Sequence, residues 1–333
     1  MRKGTFFCID GHTCGNPVRL VTSGHPVLRG NSMSEKRQDF MANHDWIRQA
    51  LMYEPRGHDM MSGAFLYPAT SENADGSILF IETSGCLPMC GHGTIGTVTA
   101  AVESGLLKPN RPGQLILDTP AGQIRIEYGV IENKVDWVRL YNVPSFLAHW
   151  DLLVDVPELG RLRIDVAYGG NFYIIVEPQA NFPGIEQWSA EHILKFSPLV
   201  RNAVNEAIEC VHPLDSSVKG ASHLLWTGKP KTDGSDAANA VFYGEKAIDR
   251  SPCGTGTSAR MAQMVARGKL NIGDRFVHES LIGSQFVGKV ESEAQVGPYL
   301  GINPSIQGWA KVFGQNQIVV DDDDPYHHGF QVI

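Results

Sequence analysis

The chain has no run of about 20 apolar residues, the length an α-helix needs to cross a bilayer, so a helical membrane span is not expected. A basic excess is also missing: 28 Lys and Arg stand against 36 Asp and Glu, giving a net charge of −8 and a pI near 5.8. Binding to a phosphate backbone favours a basic surface, so no nucleic-acid partner is expected. A small anionic substrate in a local pocket stays compatible with that sum. Low-complexity tracts are absent, since the 35 Gly and 19 Pro are scattered. The stretch Met1–Cys8 has no long apolar core and leads at once into Asp10-Gly11-His12. It does not read as a secretory signal, and the expected location is the cytoplasm. Cysteines are few, at positions 8, 14, 86, 90, 210 and 253. In a reducing compartment a chain of this length keeps them as thiols, and Cys8, Cys86 and Cys210 are expected to pack as small inert hydrophobes.

What is present is ordinary soluble-protein material, 42% hydrophobic and 19% charged, and 333 residues suffice for two domains. Short β-branched runs bounded by turn residues read as strands at 78–81, 114–117, 123–127, 173–176, 239–243 and 287–290. Helical spacing is found at 45–53, 94–104, 190–196 and 257–267. Many strands and a few long helices indicate a mixed α/β (α+β) architecture. The turns Asp118–Gly122 and Val296–Pro298 are candidate crossovers between two halves, and the run Asp321–Asp324 reads as a solvated turn.

One glycine-rich motif occurs twice, each time opening on a cysteine. Cys90-Gly91-His92-Gly93-Thr94 returns as Cys253-Gly254-Thr255-Gly256-Thr257, and at the same offset Val102 matches Val265, Gly105 matches Gly268 and Leu107 matches Leu270. Each copy reads as a cysteine at a turn, a helix of three to four turns and a glycine stop. The first N–H groups of a helix lack intrahelical partners and, with the helix dipole, attract anions. A cysteine placed there is expected to have its thiolate favoured, and the same amides suit a substrate carboxylate. Two such starts suggest two thiols serving one substrate carbon, one as thiolate base and one as thiol acid. Charge developing on the carboxylate during α-proton removal would meet the amide donors, stabilising the transition state more than the ground state.

Other chemistries fit less well. A phosphate loop ends in Gly-Lys-Ser/Thr, which neither copy has. Cys86, Cys90 and His92 suggest zinc, but a second ligand pair at zinc-finger spacing is missing, so no metal is expected. A cysteine protease needs one nucleophile and a histidine base, and leaves the duplication without a purpose.

At these residues the chain resembles the proline racemase superfamily along essentially its whole length. The similarity is carried by Asp10-Gly11-His12-Thr13-Cys14-Gly15-Asn16-Pro17, Pro55-Arg56-Gly57-His58-Asp59-Met60, Met89–Thr94, Tyr168-Gly169-Gly170-Asn171-Phe172-Tyr173 and Asp249–Thr257. The resemblance implies a diaminopimelate-epimerase-like fold of two pseudo-symmetric halves, each a sheet wrapped around a central helix. The halves are expected at 1–121 with 298–333, carrying Cys90, and at 122–297, carrying Cys253. It further implies a cofactor-independent enzyme, often a homodimer, with Cys90 and Cys253 as the acid/base pair. Gly91, His92, Gly254 and Thr255 would hold the carboxylate. Asp249 would meet the ring ammonium or else brace the turn before Cys253, and His223 would contact substrate or else pack in a strand. His12 and His58 are expected to serve turns or packing. The dehydratase branch acting on 3-hydroxyproline has threonine at the second cysteine position, so Cys253 speaks for stereoinversion. The motif wording favours 4-hydroxyproline over proline as the small-molecule substrate. A non-catalytic amino-acid-binding protein of this fold would need neither thiol.

Overall fold

The computed structural model describes residues 2–332, and the chain divides into two compact units, residues 1–140 with 308–333 and residues 141–307. Its elements in chain order are β1 (Arg2–Thr13), β2 (Asn16–Ser23), α1 (Met33–Asn43), α2 (Asp45–Met52), β3 (Ser62–Tyr67), β4 (Gly76–Glu82), β5 (Gly85–Leu87) and α3 (Gly91–Glu103). Next come β6 (Gln114–Thr119), β7 (Gly122–Ile131), β8 (Lys134–Tyr141), β9 (Ser145–Val156), β10 (Gly160–Tyr168), β11 (Phe172–Val176) and α4 (Ala190–Ala207). They are followed by β12 (Val211–His212), β13 (Asp215–Lys219), β14 (Ala221–Gly228), β15 (Ala237–Tyr243), β16 (Ala247–Ile248) and α5 (Gly254–Ala266). The last four are β17 (Arg275–Glu279), β18 (Gln285–Val296), β19 (Tyr299–Gly308) and β20 (Ala310–Asp321).

In the first unit β20, β1, β2, β3, β4, β6 and β7 pair in that order, with β2/β3 and β4/β6 parallel and the rest antiparallel. Parallel neighbours need a long crossover, supplied by α1 and α2 for the first pair and by α3 for the second. In the second unit the order is β9, β10, β11, β14, β15, β17, β18, β19. Again two pairs are parallel, β11/β14 across α4 and β15/β17 across α5. There β19 also pairs with β9, closing the sheet into a barrel. The cysteine helices α3 and α5 thus occupy matched positions, and both are buried along most of their length.

Both expected crossovers are hairpin turns within a unit. Thr119 pairs with Gly122, and Val296 pairs with Tyr299. Each turn contains or adjoins a glycine at positive φ, Gly122 at 132° and Gly297 at 56°, and a proline, so turn chemistry marked a reversal rather than a domain passage. The chain passes between the units later, around 140–141 and 307–308.

Helix α1 rests on a capping box. The Ser32 hydroxyl accepts from the Glu35 amide at 3.2 Å, and the Glu35 carboxylate accepts from the Ser32 amide at 3.4 Å. Helix α4 runs 11 residues past the expected end at Phe196, through Pro198. Ile193, Val200 and Val204 are buried, and the Trp226 indole donates to Ser197 Oγ at 2.8 Å, so tertiary packing offsets the missing proline amide. In the acidic run, Asp324 pairs with Arg56 at 3.0 Å, and its carboxylate accepts from the Tyr326 amide at 2.8 Å.

Candidate active site

Cys90 is the N-cap of α3, and its sulfur accepts from the Gly93 amide at 3.3 Å. Its carbonyl accepts from both the amide and the hydroxyl of Thr94. A side chain at Gly93 would place Cβ 2.9 Å from that sulfur, so the motif's second glycine is required by close approach, as expected for such a turn. Glu82 and His92 lie against the thiol. The Cys90 thiol donates to Glu82 Oε1 at 3.2 Å, and His92 Nδ1 is 3.5 Å from the sulfur. Thr13 Oγ1 donates to the His92 carbonyl at 2.8 Å, and Asn16 Nδ2 stands 3.0 Å from His92 Nε2. Ser62 and Ser84 hydroxyls donate to the Glu82 carboxylate at 3.2 and 3.0 Å. Cys90, His92 and Glu82 are all buried.

Cys253 repeats the arrangement in the second unit with different partners. It caps α5, and its sulfur accepts from the Gly256 amide at 3.4 Å. Cβ on Gly256 would sit 3.0 Å from that sulfur and 3.1 Å from the Tyr173 ring. Its backbone is in the left-handed region, φ 62°, a strained conformation for a non-glycine residue of the kind that concentrates at functional positions. A chain of bonds holds it there. Asp249 Oδ1 accepts from the Ser251 amide and hydroxyl, both at 2.8 Å, and Ser251 Oγ accepts from the Cys253 amide at 3.2 Å. Asn239 Nδ2 donates to the Pro252 carbonyl at 2.8 Å. The Tyr173 hydroxyl is 3.2 Å from Cys253 Sγ and 2.6 Å from Thr255 Oγ1.

The electrostatics of this half depart from the simple helix-terminus expectation. Burial pushes the Cys253 thiol well above its ordinary range, and the Asp249 charge pushes the same way. Hydrogen bonds from Tyr173, the Gly256 amide and Thr255 oppose them. Desolvating a thiolate outweighs the amide and dipole contribution here, so Cys253 holds its proton in this form of the chain.

Of the residues singled out from sequence, Cys90, Gly91 and His92 gather at the start of α3, and Cys253, Gly254 and Thr255 at the start of α5. Asp249 does brace the Cys253 turn. His223, on β14, bonds Ser222 Oγ through Nδ1 at 2.8 Å, and its ring lies 4.9 Å from that of Tyr173, so it adjoins a residue that touches the thiol. His12 Nδ1 accepts from the Gly15 amide at 3.1 Å, a turn role. Sequence reasoning assigned no role to Glu82, Tyr173, Ser251 or Asn16. Three of these lie inside motif segments already noted, whereas Glu82 reaches the site because β4 and β5 form a hairpin, pairing Glu82 with Gly85.

Each unit thus carries one buried cysteine as the cap of a glycine-turned helix start. The chain belongs to the proline racemase family, whose model matches residues 8–331. Among similar proteins are the 4-hydroxyproline 2-epimerases of Shewanella loihica, 66% identical, and Spirosoma linguale, 59% identical, each covering 100% of both chains. A solved hydroxyproline epimerase from Agrobacterium vitis, with bound trans-4-hydroxy-L-proline, superposes with a TM-score of 0.93 at 29% identity, over 100% of this chain and 96% of that one. A PhzF-family phenazine biosynthesis protein from Bacillus anthracis shares the fold, with a TM-score of 0.57 at 17% identity over 96% and 99% of the two chains. The fold is therefore the diaminopimelate-epimerase-like one expected, and the chain is an isomerase-family protein.

Proposed function

We propose that this chain epimerises 4-hydroxyproline at C2, interconverting trans-4-hydroxy-L-proline and cis-4-hydroxy-D-proline without a cofactor. The observation that carries the reading is the paired Cys-Gly-x-Gly N-cap, in which each sulfur sits against its own helix amide. The full-length similarity to proteins named for that reaction supports it.

In this reading Cys90 and Cys253 exchange protons with Cα from opposite faces. Burial favours the protonated form of Cys253, which suits it to the acid role, and Cys90, whose thiol donates to Glu82, takes the base role once that proton has passed to the carboxylate. After one turnover the roles are exchanged, and the reverse reaction uses them that way. Amides of Gly91, His92, Gly254 and Thr255 would receive the carboxylate, where charge grows in the transition state. Asp249 would offer a fixed negative charge to the ring ammonium, and His223 would line the pocket beside Tyr173. The protein is read as a cytoplasmic homodimer, a setting that keeps both thiols reduced.

The test is proton NMR in D₂O on trans-4-hydroxy-L-proline, L-proline and trans-3-hydroxy-L-proline in parallel. Loss of the α-proton with appearance of cis-4-hydroxy-D-proline in the first tube is expected, and it should survive EDTA. Cys90→Ala and Cys253→Ala should each abolish inversion, a loss of at least about 10²–10⁴-fold for removal of one acid/base group. Full turnover by either variant would end the two-thiol reading, and faster exchange on L-proline would make the chain a proline racemase.

A further inference from the structure

Glu82, Cys90 and His92 bring a carboxylate, a thiol and an imidazole together, with one ligand atom from each lying within 4.8 Å of the others. All three are buried. The Cys90 sulfur is 3.2 Å from Glu82 Oε1 and 3.5 Å from His92 Nδ1. In a tetrahedral zinc site, bond lengths near 2.3 Å to sulfur and 2.0–2.2 Å to nitrogen and oxygen put neighbouring ligand atoms about 3.3–3.6 Å apart. Both distances from the sulfur therefore fit such a tetrahedron, and the carboxylate and imidazole ligand atoms lie within 4.8 Å of each other.

The surroundings fit a ligand set as well. Ser62 and Ser84 hold the two oxygens of Glu82, and Asn16 holds the far nitrogen of His92, the outer-shell support that metal ligands require. An amide nitrogen only donates, so Asn16 Nδ2 facing His92 Nε2 leaves the ring proton on Nδ1, toward Cys90. Turning the Asn16 amide over presents Oδ1 to an Nε2 proton and exposes the Nδ1 lone pair without moving the ring.

We propose that this trio is an inhibitory site for a thiophilic divalent cation, zinc above all. The cation displaces the Cys90 thiol proton to solvent, forms one bond each to Cys90 Sγ, His92 Nδ1 and Glu82, and keeps its fourth position for water or a substrate carboxylate. The His92 proton moves from Nδ1 to Nε2, so one proton is released for each cation bound. With its sulfur lone pair committed to the metal, Cys90 can no longer take the α-proton.

The inhibitory consequence rests on the epimerase reading; the binding does not, and the two are measured separately. Zinc ion is titrated into the full chain with a chromophoric competitor, and cobalt ion is used to look for a thiolate-to-metal charge-transfer band. One cation per chain is expected, with affinity falling by more than about tenfold in Glu82→Gln, His92→Asn and Cys90→Ser, with the band lost in Cys90→Ser and both readouts retained in Cys253→Ser. Zinc should then abolish inversion, and EDTA should restore it. Binding that survives all three trio substitutions, or that Cys253→Ser removes, would overturn the site, as would no uptake by the wild-type chain. Uptake at the trio by a chain that never inverts hydroxyproline would sink the epimerase reading while leaving the metal site standing.

Discussion

At the scale of single residues, the two cysteines share a backbone device and differ in what tunes them. Each accepts an amide from the glycine three residues on, which the repeated motif made legible. The tuning partners were not legible, because Glu82 and Tyr173 arrive from strands and no spacing rule ties them to a cysteine. Tyr173 lowers the Cys253 thiol against the upward push of burial. Replacing it with Phe removes the hydroxyl 3.2 Å from the sulfur and keeps the ring that packs against His223. The Cys253 thiolate should then be scarcer at any pH where the chain is folded, so iodoacetamide labelling of Cys253 at a fixed mildly alkaline pH slows. Turnover at neutral pH should fall roughly 10- to 100-fold, the equivalent of one hydrogen bond to a charged group. A Tyr173→Phe variant with the parental labelling rate would reduce Tyr173 to a packing residue.

At the scale of elements, the two central helices show where propensity and packing disagree. Residue by residue α3 is a poor helix, with three glycines and three threonines in 13 positions, yet it is buried and ordered by the sheet around it. Gly96 explains one of these choices: a Cβ there would meet Thr13 Oγ1 and Val18 Cγ2, both at 2.9 Å. Gly96→Ala should therefore destabilise the first unit by about 1–3 kcal/mol despite the better helix propensity of alanine. At Gly105 and Gly268 the reason is different. Their φ values are 71° and 67°, with nothing near an added Cβ, so alanine there should cost only the left-handed backbone strain, about 1–2 kcal/mol. Urea denaturation of the three variants measures each cost. A stabilised Gly96→Ala would mean that the helix can shift off Thr13 at little cost. The glycine stops were readable from sequence because turn chemistry is local, whereas the continuation of α4 through Pro198 was not, since burial of Val200 and Val204 depends on packing against strands distant in sequence, β14 among them. Crossovers were misplaced for a related reason: Pro-Ala-Gly and Gly-Pro announce a reversal without saying which strand comes next.

At the scale of the whole molecule, buried titratable groups set the pH range of the fold. His278 is buried between Asn239 and Thr257, and burial, then the Arg260 charge, holds its pKa well below the ordinary 6.5. The folded state thus refuses a proton that the unfolded chain accepts, so the contribution of His278 is present above pH 6.5 and lost as pH falls below it. Cys8 and Cys86 are pushed up to about 12 and Cys210 to about 11, chiefly by burial. Their folded pKa values lie above the ordinary 9.0, so their contribution is whole below pH 9 and is lost as pH rises toward 11–12. The urea midpoint should therefore be nearly flat between pH 7 and 9 and fall on either side. The two limbs belong to different places. The alkaline limb draws on both units, through Cys8 and Cys86 in one and Cys210 in the other, and Cys8→Ala with Cys86→Ala should blunt it while leaving the acid side alone. The acid limb includes a strong contribution from His278, so amide exchange near pH 5 should rise first along β15, β17 and the first turn of α5, which pack around that ring. Exchange that instead rose first in the first unit would mean that His278 stays neutral and shielded at that pH, and that groups of the first unit, the burial-lowered His25 among them, govern acid unfolding.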